Sequence, residues 1–216
     1  MKNLKLLTVA VHLGIGLTTF AQQKIIVPDL SKAGQSDQWV LYNRKVKVDD
    51  GVHLNGMRGD GLLWLKGTVF RNGIIEADIR GEDRQGGSFV GIAFHGLNDS
   101  TYDAVYFRPF NFKNPDRNGH SVQYISHPDN TWWRLRVAYP GKYENPATPV
   151  PDPDDWFHAT ITVNYPVVKV YVNHSEQPSL EVEQLSRQKE GWVGFWVGNT
   201  SGGSFRNLKI TLEQGP

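Results

Sequence analysis

Apolar and polar residues alternate with a period of two over residues 74–80, 88–96, 103–110, 121–127, 134–139, 158–164, 167–173, 192–198 and 204–212. Successive side chains of an extended chain point to opposite faces, so each run predicts a strand with one buried face. Turn-forming clusters separate them: Arg71-Asn72-Gly73, Gln85-Gly86-Gly87, Asn114-Pro115-Asp116-Arg117-Asn118-Gly119 and Ser201-Gly202-Gly203. The one helix-like stretch, residues 185–189, is too short to organise a fold. Residues 139–155, with Pro140, Pro146, Pro149, Pro151 and Pro153, predict a long surface loop. Many short strands without helices to cover a parallel sheet predict an all-β fold, a two-sheet antiparallel jelly-roll sandwich.

The same alternation sorts side chains by face. Ile75, Ala77 and Ile79 oppose Glu76, Asp78 and Arg80; Val90, Ile92 and Phe94 oppose Gly91, Ala93 and His95. Val105 and Phe107 oppose Tyr106, Arg108 and Phe110; Val193, Phe195 and Val197 oppose Trp192, Gly194, Trp196 and Gly198. Arg134 and Arg136 alternate against Leu135 and Val137. If these strands share one sheet, a single polar face collects Glu76, Arg80, His95, Tyr106, Arg108, Arg136 and Trp196. Small residues floored between aromatics and guanidiniums suit a sugar, whose C–H faces stack on rings while its hydroxyls pair with polar groups. An ordinary solvated sheet face shows the same alternation, so the aromatics Tyr106, Phe110 and Trp196 carry the binding expectation.

Composition narrows the partners. With 23 basic against 22 acidic residues the chain has no cationic surplus for nucleic acid. The absence of cysteine removes disulfides, thiolate metal sites and a cysteine nucleophile. Residues 1–21 read as a signal peptide, with Lys2 and Lys5 ahead of an apolar stretch and Thr19 and Ala21 before a cut at Gln22. That leaves residues 22–216 as one domain, expected in a bacterial periplasm or secreted, with no membrane insertion after cleavage.

The segment Phe70-Arg71-Asn72-Gly73-Ile74-Ile75-Glu76-Ala77-Asp78-Ile79-Arg80, followed by Phe89-Val90-Gly91-Ile92-Ala93-Phe94-His95, resembles the paired strands of concanavalin A-like lectin/glucanase sandwiches. More narrowly, residues 87–112 resemble the 3-keto-disaccharide hydrolase domain family, with agreement at Trp133, at Trp156 and its following strand, and at residues 191–210. The resemblance implies a secreted carbohydrate-directed sandwich that binds or hydrolyses a glycan or modified disaccharide on its concave face. Laminarinase- and lichenase-type members carry paired carboxylates on a strand that here reads Asp103-Ala104-Val105-Tyr106-Phe107-Arg108, so their retaining mechanism is not expected. The remaining acid–base candidates are Glu76 with His95, using Arg108 as an oxygen clamp and Tyr106 as donor or stacking platform, with Arg80, Arg136 and Trp196 binding substrate. The resemblance implies an Arg, the usual residue of the family, where His95 stands.

Other motifs add little. Asp152, Asp154 and Asp155, or Asn98 with Asp99, are oxygen donors for a structural calcium, but neither turn completes a ligand set. Arg58-Gly59-Asp60 reads as a tight turn. The histidines show no zinc-binding spacing, and no G-x-S-x-G elbow or phosphate loop is present. The reading of a different class is a non-catalytic module for protein or cell-surface interaction, which requires a flat apolar patch in place of a cleft.

Overall fold

A computed structural model describes residues 23–35 and 37–213; the expected signal peptide lies outside the described residues. In chain order the strands are β1 (Gln23–Ile26), β2 (Trp39–Tyr42), β3 (Val46–Asp49), β4 (Gly51–Leu54) and β5 (Gly61–Leu65). They continue with β6 (Gly73–Arg80), β7 (Val90–Asn98), β8 (Thr101–Phe107), β9 (Val122–His127) and β10 (Glu144–Asn145). The last are β11 (Phe157–Asn164), β12 (Val167–Val172), β13 (Leu180–Glu183), β14 (Trp192–Val197) and β15 (Gly203–Glu213). One α-helix, α1 (Trp132–Ala138), lies between β9 and β10.

The strands form two antiparallel sheets. The back sheet runs β13-β12-β11-β6-β15-β4-β3, with β1 also paired to β15, and the front sheet runs β10-β9-β8-β7-β14-β5-β2. Between them Phe107 of the front sheet meets Phe157 of the back sheet at 4.9 Å, and Phe195 stacks on Phe205 at 4.5 Å. Ile75, Ala77 and Ile79 are fully buried on the inner face of β6, as the alternation requires. The expected all-β antiparallel sandwich is therefore the observed architecture.

Four local expectations are corrected. Residues 134–139 are not a strand: Thr131 caps the backbone N–H of Arg134, and the segment coils into α1, with Leu135 as its buried residue. Residues 185–189 form no helix. The long loop over 139–155 contains the two-residue β10, which pairs with the edge of β9. Most consequentially, the polar residues do not share one face. β6, carrying Glu76 and Arg80, belongs to the back sheet, whereas β7, β8 and β14 belong to the front sheet.

His95 departs from its expected face for a backbone reason. β7 slips register against β8 between Phe94 and Asn98, and against β14 between Trp192 and Gly194. At this bulge His95 takes a φ of +50°, which inverts the alternation and turns its ring into the interior. Nε2 donates to the carbonyl of Arg71 at 2.7 Å, and Nδ1 accepts from the Gln184 amide at 3.0 Å. The same amide reaches Asp103, whose other oxygen accepts from the Tyr124 hydroxyl at 2.7 Å. His95 thus ties β7 to the chain before β6 and after β13. Replacing it with alanine opens a cavity and strands its partners. We expect His95→Ala to lower unfolding stability by about 3 kcal/mol, seen as a lower urea midpoint with an unchanged slope.

Candidate functional site

The outer face of the front sheet carries an aromatic platform set by strand register. Gly91 of β7 lies opposite Trp196 of β14 on one side and Tyr106 of β8 on the other. Both rings therefore project from the strands flanking a glycine, and they close over it to 4.9 Å between centroids. A Cβ at residue 91 would lie 2.1 Å from the carbonyl oxygen of Val105 and 2.6 Å from Cα of Tyr106. The Trp196 indole N–H donates to the Tyr102 hydroxyl at 3.1 Å, and that hydroxyl donates to Asp60 at 3.2 Å.

Beside the platform lies a cluster of buried charge. Arg108 is 4 % exposed, and its terminal nitrogens donate to the His120 carbonyl at 2.7 Å, to the Tyr106 hydroxyl at 2.5 Å and to Gln123 Oε1. Its guanidinium also lies 4.9 Å from the Tyr106 ring centroid and 6.0 Å from that of Trp132. Glu144 supplies the counter-charge. It accepts two hydrogen bonds from Arg136, at 2.9 and 2.6 Å, and lies 2.9 Å from His120 Nδ1 and 3.6 Å from Arg108. Burial pushes the Glu144 carboxyl up, but the Arg136 hydrogen bonds and the charges of Arg136, His120 and Arg108 outweigh it and hold the group below the ordinary carboxylate range. Burial drives the Tyr106 hydroxyl the other way, to about 12, against the opposing pull of Arg108.

Two adjoining cavities open onto this surface and share Phe89, Trp132 and Asn199 as walls. The smaller, about 200 Å³, lies over Tyr106 and Trp196 and is edged by Asp60 and His127. The larger, about 610 Å³, is edged by Arg108, Arg117, His120 and Arg136. Together they form a groove with an aromatic floor, an indole wall and a cationic end. Trp132 is 44 % exposed, so much of its ring remains available to a ligand.

The structure thus gathers four of the expected residues, Tyr106, Arg108, Arg136 and Trp196, around one groove. It separates the other three. Glu76 pairs with Lys209 at 2.7 Å on the outer face of the back sheet, and Arg80 stacks on Trp156 at 4.8 Å on the same face. His95 is in the interior, so a Glu76–His95 acid–base pair is not formed. Arg108 is a brace for Tyr106 and Gln123, its terminal nitrogens already engaged, and not an open oxygen clamp. Trp132, Glu144, Asp60 and His127 were not singled out from the sequence. Trp132 lies just before the segment read as a strand, 134–139, and Glu144 in the segment read as a loop. Asp60 was visible as the end of the Arg58-Gly59-Asp60 turn, and His127 as the end of a strand with Gln123 and Ile125 on its face.

The acidic turns proposed for calcium are engaged by protein donors. Asp152 pairs with Lys113 at 2.6 Å, Asp154 accepts from the backbone N–H of Asp83, and Asp99 accepts from the Trp64 indole. Among the described residues no group of three or more histidine or carboxylate side chains is placed to hold a metal ion.

Two outcomes follow from the packing. Because the Glu144 pKa is lowered on folding, its contribution is complete above the unfolded value of about 4.3 and is lost as pH falls through the folded value. Glu144→Gln should therefore destabilise the protein by about 3 kcal/mol at pH 7, with the difference from wild type closing in acid denaturation profiles below that range. Gly91→Ala should lower stability by about 2 kcal/mol and weaken the near-ultraviolet circular dichroism of the Trp196–Tyr106 pair.

Comparison with known proteins agrees with this architecture. A carbohydrate-binding module, CBM66, from Bacillus subtilis superposes with a TM-score of 0.60 at 14% identity, covering 80% of this chain and 95% of that one. A candidate glycosyl hydrolase from Parabacteroides distasonis ATCC 8503 gives 0.58 at 12% identity over 88% and 98% of the two chains. The metal-free carbohydrate recognition domain of Emp46p gives 0.57 at 18% identity over 88% and 96%. No curated protein sequence matches the chain. Residues 30–211, most of the sandwich, match the family described as the 3-keto-alpha-glucoside-1,2-lyase-like domain, and the chain belongs to that family.

Proposed function

We propose that this protein recognises a carbohydrate in the groove on the outer face of the front sheet, with a 3-keto-α-glucoside as its ligand class. The observation that carries the reading is the aromatic floor of Tyr106 and Trp196 beneath the Trp132 wall, continuous with the Arg117–Arg136 end. A pyranose presents a C–H face to such rings and a rim of hydroxyls to charged side chains. Arg117 is exposed at the cationic end and supplies donors to that rim, while Arg108 holds the Tyr106 hydroxyl and the Gln123 amide in place.

The family supports the ligand class, and two structural neighbours, a carbohydrate-binding module and a carbohydrate recognition domain, support the broader reading. A 1,2-lyase acting on a 3-keto glucoside removes the C2 proton, which the adjacent ketone acidifies, and releases the group on C1. With the expected leader, this reading places the protein outside the cytoplasm; among the described residues no helix is long and apolar enough to cross a membrane.

A glycan array followed by calorimetry with methyl 3-keto-α-D-glucopyranoside tests the proposal. Trp132→Ala should weaken binding about tenfold, the loss of roughly 1.5 kcal/mol of ring contact, with a thermal midpoint lowered only slightly because 44 % of the residue is already exposed. A wild-type protein that binds neither any arrayed glycan nor the keto-glucoside would remove this reading.

A further inference from the structure

Resting on the carbohydrate reading of the groove, we infer that His127 is its proton-transferring residue and that Asp60 is the carboxylate that tunes it. The two side chains edge the same cavity, over the platform of Tyr106 and Trp196. His127 ends β9, where its outward side places it in the row of Gln123 and Ile125. Its imidazole stacks on the Tyr102 ring at 5.0 Å and 10°, which fixes the ring plane. Neither ring nitrogen is hydrogen-bonded to a described residue.

The other described histidines do not offer this combination. His95 is buried with both nitrogens engaged, and His120 lies against Glu144 at 2.9 Å. His158 is held by Asp78 on the back sheet with His174 stacked on it, and His53 contacts Ser204 on the same sheet.

Asp60 is held by its backbone. Asn43 donates to the carbonyls of Arg58 and Asp60 at 2.9 and 2.8 Å, and Arg44 donates to Gly59 at 2.7 Å and to Gly198 at 2.8 Å. The turn before β5 is thereby pinned to the end of β14. Tyr102 joins the parts, accepting from the Trp196 indole and donating to Asp60 Oδ2. The ionisable groups that face His127 are Asp60, from this turn, whose charge acts on it, and Tyr102 of β8, whose ring stacks on it, with Tyr42 of β2 acting on Tyr102. Burial lowers the proton affinity of His127 and Asp60 raises it, with a net lowering, so the imidazole is a free base at neutral pH. Burial and the neighbouring Asp60 charge keep Tyr102 a neutral phenol.

On a 3-keto-α-glucoside the step balances without an added reactant. A ring nitrogen of His127 takes the C2 proton, the C2–H electron pair becomes the C1–C2 double bond, and the C1–O bond breaks with its electrons on oxygen. The imidazolium then returns the proton to that oxygen, releasing an alcohol and an unsaturated keto sugar.

The test uses methyl 3-keto-α-D-glucopyranoside, with elimination followed by enone absorbance and binding by calorimetry. His127→Gln should lower kcat about 100-fold or more while KM stays within about threefold. Asp60→Asn removes the charge that raises the histidine pKa, so the acid limb of kcat/KM should move to lower pH. In unliganded wild type, the His127 ring protons should titrate by NMR at the midpoint of that limb. A merely structural histidine would leave these last two readouts unlinked. Activity of His127→Gln within threefold of wild type, an unmoved acid limb in Asp60→Asn, or a mismatched NMR titration overturns the assignment. Wild type that binds the sugar without eliminating it also overturns the assignment and leaves the binding reading standing; absence of binding removes both.

Discussion

The withdrawal of the Arg108 guanidinium from water is the constraint around which the groove is organised. A buried cation must have its donors matched and its charge answered, and no single element supplies both. β8 contributes the Tyr106 hydroxyl, β9 contributes Gln123, the turn at 118–120 contributes a carbonyl, and β10 contributes the Glu144 charge. Arg136 reaches Glu144 from α1 and so fixes the helix that carries Trp132. Meeting the electrostatic demand of one side chain therefore positions both the floor and the wall of the site.

Two backbone features complete the geometry. At Gly91, the missing side chain allows rings from the two flanking strands to meet over the middle strand. At His95, a bulge within the same strand inverts the alternation and removes an imidazole from the outer face to the interior. One strand thus contributes a gap to the site and an anchor to the core. The two sites of buried polarity have different neighbours. The Asp103–Gln184–His95 network joins separated parts of the chain, while the Arg108–Glu144 cluster opens onto the groove.

The legibility of the site followed the locality of each feature. Tyr106, Arg108 and Trp196 were readable because regular alternation holds at each of them, and their strands do lie in one sheet. Arg136 reached the site by a different route, from a helix, because Thr131 caps a segment whose alternation suggested a strand. Glu76 and Arg80 were assigned the correct side of β6, but that side is the outer face of the opposite sheet. Asp60 and His127 were present as a turn and a strand end. They become a pair only through Tyr102, which stacks on one and hydrogen-bonds the other.

Taken alone, the amino-acid order determined the all-β class, the antiparallel sandwich and the inward set of regular strands, since a period of two is a property of each extended segment by itself. The tertiary structure decided which strands are neighbours, where a bulge reverses a face, and which distant turns border the groove. Those outcomes depend on pairing and charge satisfaction between residues far apart in the chain, for which no local periodicity carries a signal.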